Sequence, residues 1–213
     1  MTQNHGSKAE RSRQPGCRKG RLKKAFWQTN QKAFLFVSPL NKYFESGEKP
    51  VGGKARGMGM KTVVLGIGNL LLGDEGVGVH AAQAFSEICP EEVEVRDIGT
   101  AILEAIPDFE KADKIIVLDA MKAHGRPGTI YRIPLGECLS NDVIGSLHGF
   151  DLKRVLALAG REQPPEVLVF GVEPAHVGWS LELSEVVKDA LPELLIAVEN
   201  EIKLNENEEK ARI

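Results

Sequence analysis

The stretch that decides the fold is KTVVLGIGNLLLGDEGVG, residues 61–78. Its opening run, Thr62–Leu65, is apolar and β-branched and ends in glycines, as buried strands of a parallel sheet do. Apolar residues at helical spacing follow from Val77 to Ile88, so a helix is predicted to pack back onto this strand. The glycine-rich segment between them lies where the first strand ends, and ligands of open α/β sheets bind at that edge.

The same alternation of strands and helices continues to about residue 204. Further strands are predicted at Val93–Val95, Lys114–Leu118, Thr129–Ile133 and Val167–Val172. Helices are predicted at Ala101–Ile106, with Thr100 as its cap, at Asp151–Ala159, closed by Gly160, and from Ser184 to about Leu204, with Pro192 starting a second half or a kink. Alternating strands and helices predict an α/β fold, in which helices cover both faces of a mostly parallel sheet.

The charge of the chain changes sign near residue 60. Residues 1–59 carry 13 Lys and Arg against 3 Asp and Glu, a net charge of +10, whereas the remainder carries −13. Residues 1–59 are predicted to be a disordered basic tail, or a leader translated upstream of a start at Met58 or Met60. A basic tail also suits binding to nucleic acid or an anionic surface. Residues 60–204 are the predicted domain, and residues 205–213 are a charged C-terminal tail.

Cysteine spacing and hydropathy exclude several classes of protein. Cys17, Cys89 and Cys138 are odd in number and far apart, which argues against a disulfide framework or a zinc ribbon. The sequence contains no run of about 18 apolar residues that would span a membrane. We therefore expect a cytoplasmic protein whose folded domain binds neither membrane nor nucleic acid.

Acidic residues end three of the predicted strands and should meet at one edge of the sheet. Glu75 follows the first strand, Asp97 the second and Asp119 the third. Carboxylates combined with an imidazole form an open site for a divalent transition metal. His148, just before a predicted helix, is the best-placed imidazole, and His124 in the loop after Asp119 is a weaker candidate.

A dinucleotide site is the first alternative, because Gly66-x-Gly68 follows a strand. The third glycine of that motif would fall at Leu71, however, and carboxylates at Asp74 and Glu75 would repel a pyrophosphate at the start of the helix. Both carboxylates also have a structural interpretation. Asp74 is suited to cap the helix, and Glu75 in the first turn would interact favourably with the helix dipole.

Five segments together resemble, in order and spacing, the motifs of the hydrogenase maturation endopeptidases. They are Gly66–Gly78, Asp97–Thr100, Val117–Ala120, Ser146–Leu152 and Gly171–Pro174. The resemblance covers about residues 60–204 and leaves residues 1–59 without a counterpart.

This resemblance implies an enzyme that removes a short C-terminal peptide from the nickel-loaded precursor of a nickel–iron hydrogenase large subunit. The metal-contacting positions of the family match Glu75, Asp119 and His148, with the nickel supplied by the substrate and no organic cofactor. Asp97 is then expected to orient one of the ligands through a hydrogen bond. A nickel chaperone that does not cut and a nucleotide-binding regulatory module are the alternative functions.

The resemblance also implies a three-layer α/β/α sandwich of the phosphorylase/hydrolase-like fold, with a twisted five-stranded sheet and one antiparallel strand. Thr129–Ile133 is the candidate for that strand, because a parallel crossover needs about a dozen residues or more and the preceding loop is shorter. Gly66 and Gly68 are expected to leave space for the substrate peptide and its metal. Asp74 is expected to be a helix cap, and the protein a monomer.

Overall fold

The computed structural model describes residues 60–138, 145–146 and 149–211. The predicted basic tail, residues 1–59, lies outside the described residues. The strands are β1 (Thr62–Ile67), β2 (Glu94–Gly99), β3 (Lys114–Lys122), β4 (Ile130–Pro134), β5 (Gly145–Ser146) and β6 (Glu166–Val172). The α-helices are α1 (Val77–Ser86), α2 (Ile106–Lys111), α3 (Leu135–Cys138), α4 (Gly149–Ala159) and α5 (Glu185–Ala211), and 3-10 turns cover Asp74–Gly76 and Ile102–Ala105.

Five strands form the main sheet in the order β2-β1-β3-β6-β4, and the two-residue β5 adds to the end of β3. All pairs along this order are parallel except β4 with β6, in which Ile130 lies opposite Val172. The predicted antiparallel strand is therefore confirmed. Because β1 and β6 already flank β3, β4 lies beside β6 rather than beside the strand that precedes it in the chain.

Helices cover both faces of this sheet, which confirms the predicted three-layer α/β/α fold. On one face, Ile116 and Leu118 of β3 pack in a cluster with Phe85 of α1 and Leu194 of α5. On the other face, the alternate residues of β3 pack with Phe109 of α2 and Leu152 of α4. Because both faces are covered, β3 is buried from Lys114 to Met121, and its residues 115–118 form a continuous apolar run rather than an alternating pattern.

Several element boundaries differ from the prediction. Strand β2 continues through Asp97 to Gly99, because Asp97 pairs with Gly66 of β1. The helix predicted at Ala101–Ile106 is wrong: a 3-10 turn is followed by α2, whose first turn contains Pro107. A proline fits there because the first turn needs no backbone N–H donor.

The caps and the last helix were predicted with mixed success. Thr100 is not a cap, since the residue at the N-cap of the 3-10 turn is Ala101 and no side chain bonds there. Gly160 does close α4, with a φ of 61°. Helix α5 contains Pro192 and continues past Leu204 to Ala211.

Candidate active site

Glu75 lies at the carboxyl edge of the sheet because two glycines let backbone segments touch. A side chain at Gly78, near the start of α1, would collide with the carbonyl oxygens of Ile67 and Leu118. A side chain at Gly68, whose φ is 143°, would collide with the carbonyl oxygen of Glu75. The 3-10 turn that carries Glu75 consequently contacts β3 directly, and the Glu75 side chain is half-buried.

These contacts correct the role predicted for the glycines. Gly66 and Gly68 do not leave space for a peptide, since a side chain at Gly66 would meet the side chain of Ala82 and the carbonyl oxygen of Gly78. Their space is filled by α1 and by the turn that precedes it. The glycines act by drawing the turn with Glu75 against the ends of β1 and β3.

Asp119 follows Leu118 in β3 and lies opposite Gly171 of β6. Its side chain is 1% exposed, and its Oδ1 accepts a hydrogen bond from the backbone N–H of Ala120 at 2.8 Å. The structure therefore brings Asp119 and the Glu75 turn to the same edge of the sheet, as the sequence predicted. The strand does not end at Asp119, however, but runs on to Lys122.

The third predicted metal-contacting residue, His148, lies outside the described residues. The chain is described at residues 145–146 and again from Gly149. Ser146 of β5 pairs with Met121, two residues after Asp119, and α4 begins at Gly149. Among the residues that the structure describes, no three His, Cys, Asp or Glu side chains are grouped so that they could hold a metal ion.

Asp97 lies on β2, at the far side of β1 from Asp119. Its Oδ2 accepts a hydrogen bond from Nε2 of Gln83 and its Oδ1 accepts one from the backbone N–H of Gly99, both at 3.0 Å. These contacts fix the loop after β2 against α1. The expectation that Asp97 orients a metal ligand stays a prediction.

Asp74 is not the helix cap that the sequence suggested. The N-cap positions of the 3-10 turn and of α1 are Gly73 and Gly76, and no side chain bonds at either. Asp74 is 1% exposed, and its carboxylate accepts four hydrogen bonds from the loop after β6. Three come from the backbone N–H groups of Ala175, His176 and Ser184 at 2.8, 2.9 and 2.7 Å, and the fourth from the Ser184 hydroxyl at 2.8 Å.

Burial alone would raise the pKa of Asp74, but the hydrogen bonds from His176, Ser184 and Ala175 lower it below its usual value. The carboxylate thus stays charged and holds the loop after β1 to the loop after β6. This role was missed from the sequence, because all four donors lie about a hundred residues further along the chain.

Comparisons with known proteins identify the family to which this chain belongs. A sequence profile of the hydrogenase maturation proteases matches residues 79–201, which is 123 of the 213 residues. The chain belongs to the hydrogenase maturation protease family. It is therefore a hydrolase, an endopeptidase of hydrogenase maturation.

Individual relatives agree with this assignment. The Hydrogenase 2 maturation protease of Escherichia coli is 31% identical over 150 residues, which cover 65% of this chain and 91% of that protein. The hydrogenase expression/formation protein HupM of Azotobacter chroococcum is 35% identical over 144 residues, or 64% of this chain and 69% of that protein.

Solved structures of the family have the same fold. The maturating endopeptidase HybD from Escherichia coli superposes with a TM-score of 0.56 at 31% identity, covering 65% of this chain and 90% of that one. HybD from Thermococcus kodakarensis superposes with a TM-score of 0.57, covering 66% and 98%, although its identity of 24% supports the fold alone.

A second buried carboxylate of this protease organises the loop after β3. Oε2 of Glu173 accepts hydrogen bonds from the backbone N–H groups of Ala123 at 2.9 Å and Gly125 at 3.2 Å and from the Tyr131 hydroxyl at 2.8 Å. Burial, with Glu173 adding to it, raises the pKa of Tyr131 to about 12, so Tyr131 stays a donor. Between the two amides, His124 is exposed, with a φ of 59°.

The described part of the protease also contains an open cavity of about 700 Å³ between the turn Ile102–Ala105 and α4. Its lining residues are Thr100, Ile102, Leu103, Arg154, Ala157 and Leu158. Neither Glu75 nor Asp119 lines it, so the cavity is separate from these two residues of the candidate site. No helix among the described residues is long and apolar enough to cross a membrane.

Proposed function

We propose that this protease removes a short C-terminal peptide from the nickel-loaded precursor of a nickel–iron hydrogenase large subunit. Glu75, Asp119 and His148 engage nickel that the substrate already holds. The observation that carries the proposal is the contact of Gly78 with the Leu118 carbonyl, because it sets the Glu75 turn against the residue before Asp119.

Electrostatics explain why such a site favours a metal-loaded substrate. Two carboxylates near one strand end repel each other, and a divalent cation between them removes that repulsion. Carboxylate oxygens and an imidazole are ligands that a divalent transition metal accepts. A precursor without nickel lacks this anchoring charge, so cleavage depends on completed metal insertion.

The same ion assists hydrolysis of the peptide bond. A divalent cation beside the scissile bond can polarise its carbonyl oxygen or lower the pKa of a bound water. The water adds to the carbonyl carbon, the C–N bond breaks, and the released amine takes up a proton. Glu75 and Asp119 hold the ion in position, and the fold supplies their fixed spacing.

The first test substitutes the predicted metal-contacting residues. We expect Glu75→Gln, Asp119→Asn and His148→Ala to give folded proteins that leave a nickel-loaded large-subunit precursor at its full mass. From the predicted role of Asp97 in orienting a metal ligand, Asp97→Asn should slow processing by about 10- to 100-fold. Intact-mass spectrometry of the precursor after incubation measures each outcome.

The matched control is Glu110→Gln, which neutralises an exposed carboxylate on α2. It should process the precursor at the wild-type rate. Normal shortening of the precursor by Glu75→Gln or His148→Ala would refute the proposed site. Binding of nickel-loaded precursor by the wild type without any shortening would instead indicate a nickel chaperone.

A further inference from the structure

An exposed apolar surface lies beside the candidate site, on two loops. Trp179 is 85% exposed and Leu181 is 71% exposed in the loop after β6, and Leu71 is 49% exposed in the loop after β1. We call these three residues the Trp179 surface. Apolar side chains gathered on a rigid surface near an active site are typical of a protein-binding surface.

Their exposure does not come from a loosely held loop. The backbone N–H of Gly73 donates to the carbonyl of Ser180 at 2.9 Å, and that of Ser180 donates to the carbonyl of Leu71 at 3.1 Å. The N–H of Gly178 donates to the carbonyl of Leu72 at 3.3 Å. The backbone is thus held on both sides of Trp179, and the Asp74 carboxylate joins the same two loops through its hydrogen bonds from Ala175, His176 and Ser184.

Because the backbone around Trp179 is already held, little backbone conformational entropy is lost when a partner covers this residue. Tryptophan is also among the residues that dominate the binding free energy of protein interfaces. The Trp179 surface is close in sequence to the site, since the loop that contains Leu71 leads directly into the 3-10 turn that carries Glu75.

The charge around this surface identifies the chemistry of its partner. The loop and first helical turns from residue 175 to residue 189 contain Glu182, Glu185 and Asp189, all exposed, against a single cation, Lys188. The loop after β1 adds Glu75 and no cation. The complementary surface therefore has an apolar pocket bordered by Lys or Arg side chains.

We propose that the Trp179 surface docks the folded body of the hydrogenase large-subunit precursor, which presents such a pocket. The identity of the partner rests on the function proposed above. Docking through Trp179 is separate from the nickel contact, so it also operates on a precursor that contains no nickel. It holds the precursor while its C-terminal segment reaches Glu75 and Asp119.

Fluorescence tests the docking directly in the full chain. Trp27 and Trp179 are the two tryptophans of the chain. In a Trp27→Phe background, Trp179 is therefore the sole tryptophan emitter when the added precursor is a tryptophan-free variant. A soluble quencher should reach Trp179 in the free enzyme. Adding nickel-free precursor should shift its emission to shorter wavelength and protect it, and added salt should weaken the complex.

Three variants then separate docking from catalysis. Trp179→Ala should raise the Kd for nickel-free precursor on the order of tenfold or more, and should raise KM for nickel-loaded precursor by a similar factor with kcat unchanged. Leu204→Ala, which removes a side chain that is 60% exposed on α5, should change neither. Asp119→Asn, at a residue that is 1% exposed and lies outside the Trp179 surface, should bind nickel-free precursor like the wild type, whatever its effect on cleavage.

The possible outcomes are distinct. Equal Kd values for Trp179→Ala and the wild type would refute the docking surface, even if Glu75→Gln abolishes cleavage. Normal cleavage by Glu75→Gln would refute the proposed site and leave the fluorescence result standing. Protection of Trp179 from quencher in the free enzyme, or a dimer in sedimentation that Trp179→Ala dissociates, would assign the surface to this chain or a second copy and overturn the proposal.

Discussion

Asp74 shows how one side chain can shape the surroundings of another. It precedes Glu75 in the chain, and its carboxylate accepts four hydrogen bonds from Ala175, His176 and Ser184. A buried carboxylate is stable only when its lone pairs are satisfied, and here donors from a distant loop satisfy them. The turn that carries Glu75 is therefore anchored from one side by β3 and from the other by this loop.

The first prediction at the residue scale concerns Asp74→Asn. The amide keeps one acceptor oxygen, but its NH₂ group faces backbone N–H donors that then have no acceptor. We expect a loss of about 3 kcal/mol in the free energy of unfolding, and faster hydrogen exchange at the amides of Ala175, His176 and Ser184. Urea denaturation and exchange measured by NMR give the two quantities.

The matched control for this carboxylate is Ser184→Ala. It removes the hydroxyl donor and leaves all three backbone donors in place, so its cost should be about 1 kcal/mol. If Asp74→Asn proves as stable as Ser184→Ala, Asp74 does not hold the two loops together.

At the scale of elements, the sequence predicted those strands whose own residues form an apolar run. The apolar runs of β3 and β6 and the short loop before β4 correctly predicted a mostly parallel sheet with one antiparallel strand. The extensions of β2 and β3 were missed, because charged residues such as Asp97 and Asp119 interrupt the apolar runs there and are held in the strands by backbone pairing with segments far away in the chain.

The residues of the candidate site also differ in whether the sequence could predict their positions and contacts. Glu75 and Asp119 could be predicted to converge, because parallel strands end at one edge and both follow or end an apolar run. Asp74 and Glu173 could not be assigned their contacts, since their donors lie about 100 and 50 residues away. The packing role of Gly66 and Gly78 was equally hidden, because it depends on how closely α1 approaches the sheet.

The second prediction concerns that close approach. Gly78→Ala adds a methyl group that collides with the backbone carbonyls of Ile67 and Leu118, and backbone cannot rotate away as a side chain can. Forcing extra volume into a well-packed site costs about 1–3 kcal/mol or more. We expect a lower thermal midpoint and, in the folded fraction, slower processing because the Glu75 turn is displaced from β3.

Gly136→Ala is the control for Gly78. A side chain at Gly136, in α3, would meet no atom within 4 Å. The alanine should leave processing unchanged and alter stability by between zero and about 1 kcal/mol in the favourable direction. Equal thermal midpoints for the two variants would show that α1 does not need a glycine at its contact with β3.

At the scale of the whole molecule, an ionic network joins α5 to the sheet at the start of β3, away from the edge that carries Asp119. Lys114, 1% exposed at the start of β3, lies 2.6 Å from Oε1 of Glu201 on α5 and 3.1 Å from Oε1 of Glu166 on β6. Nε of Arg132 on β4 lies 2.7 Å from Oε2 of Glu201. Glu201 of α5 is thus paired directly with cations on β3 and β4, and through Lys114 it is linked to Glu166 of β6.

Burial alone would raise the pKa of Glu201, but the hydrogen bonds and charges of Arg132 and Lys114 lower it below its usual value. The folded state therefore favours the charged carboxylate. The stability that this charge contributes is fully present above the unfolded pKa, 4.5, and is lost as the pH falls through the lowered folded value.

The last prediction follows from the direction in which the pKa of Glu201 is shifted. Glu201→Gln leaves the Lys114 cation buried with a weaker partner, so near pH 7 it should lower the free energy of unfolding by about 3–5 kcal/mol. The double variant Lys114→Met/Glu201→Met removes both buried charges and should lie within about 1 kcal/mol of the wild type. Denaturant titrations from pH 7 to pH 3 should show the gap between the wild type and Glu201→Gln closing as the pH falls below 4.5. A gap that stays constant over this range would mean that α5 is held by its apolar face, with Leu194 and its neighbours, and that the charge of Glu201 contributes nothing to the fold.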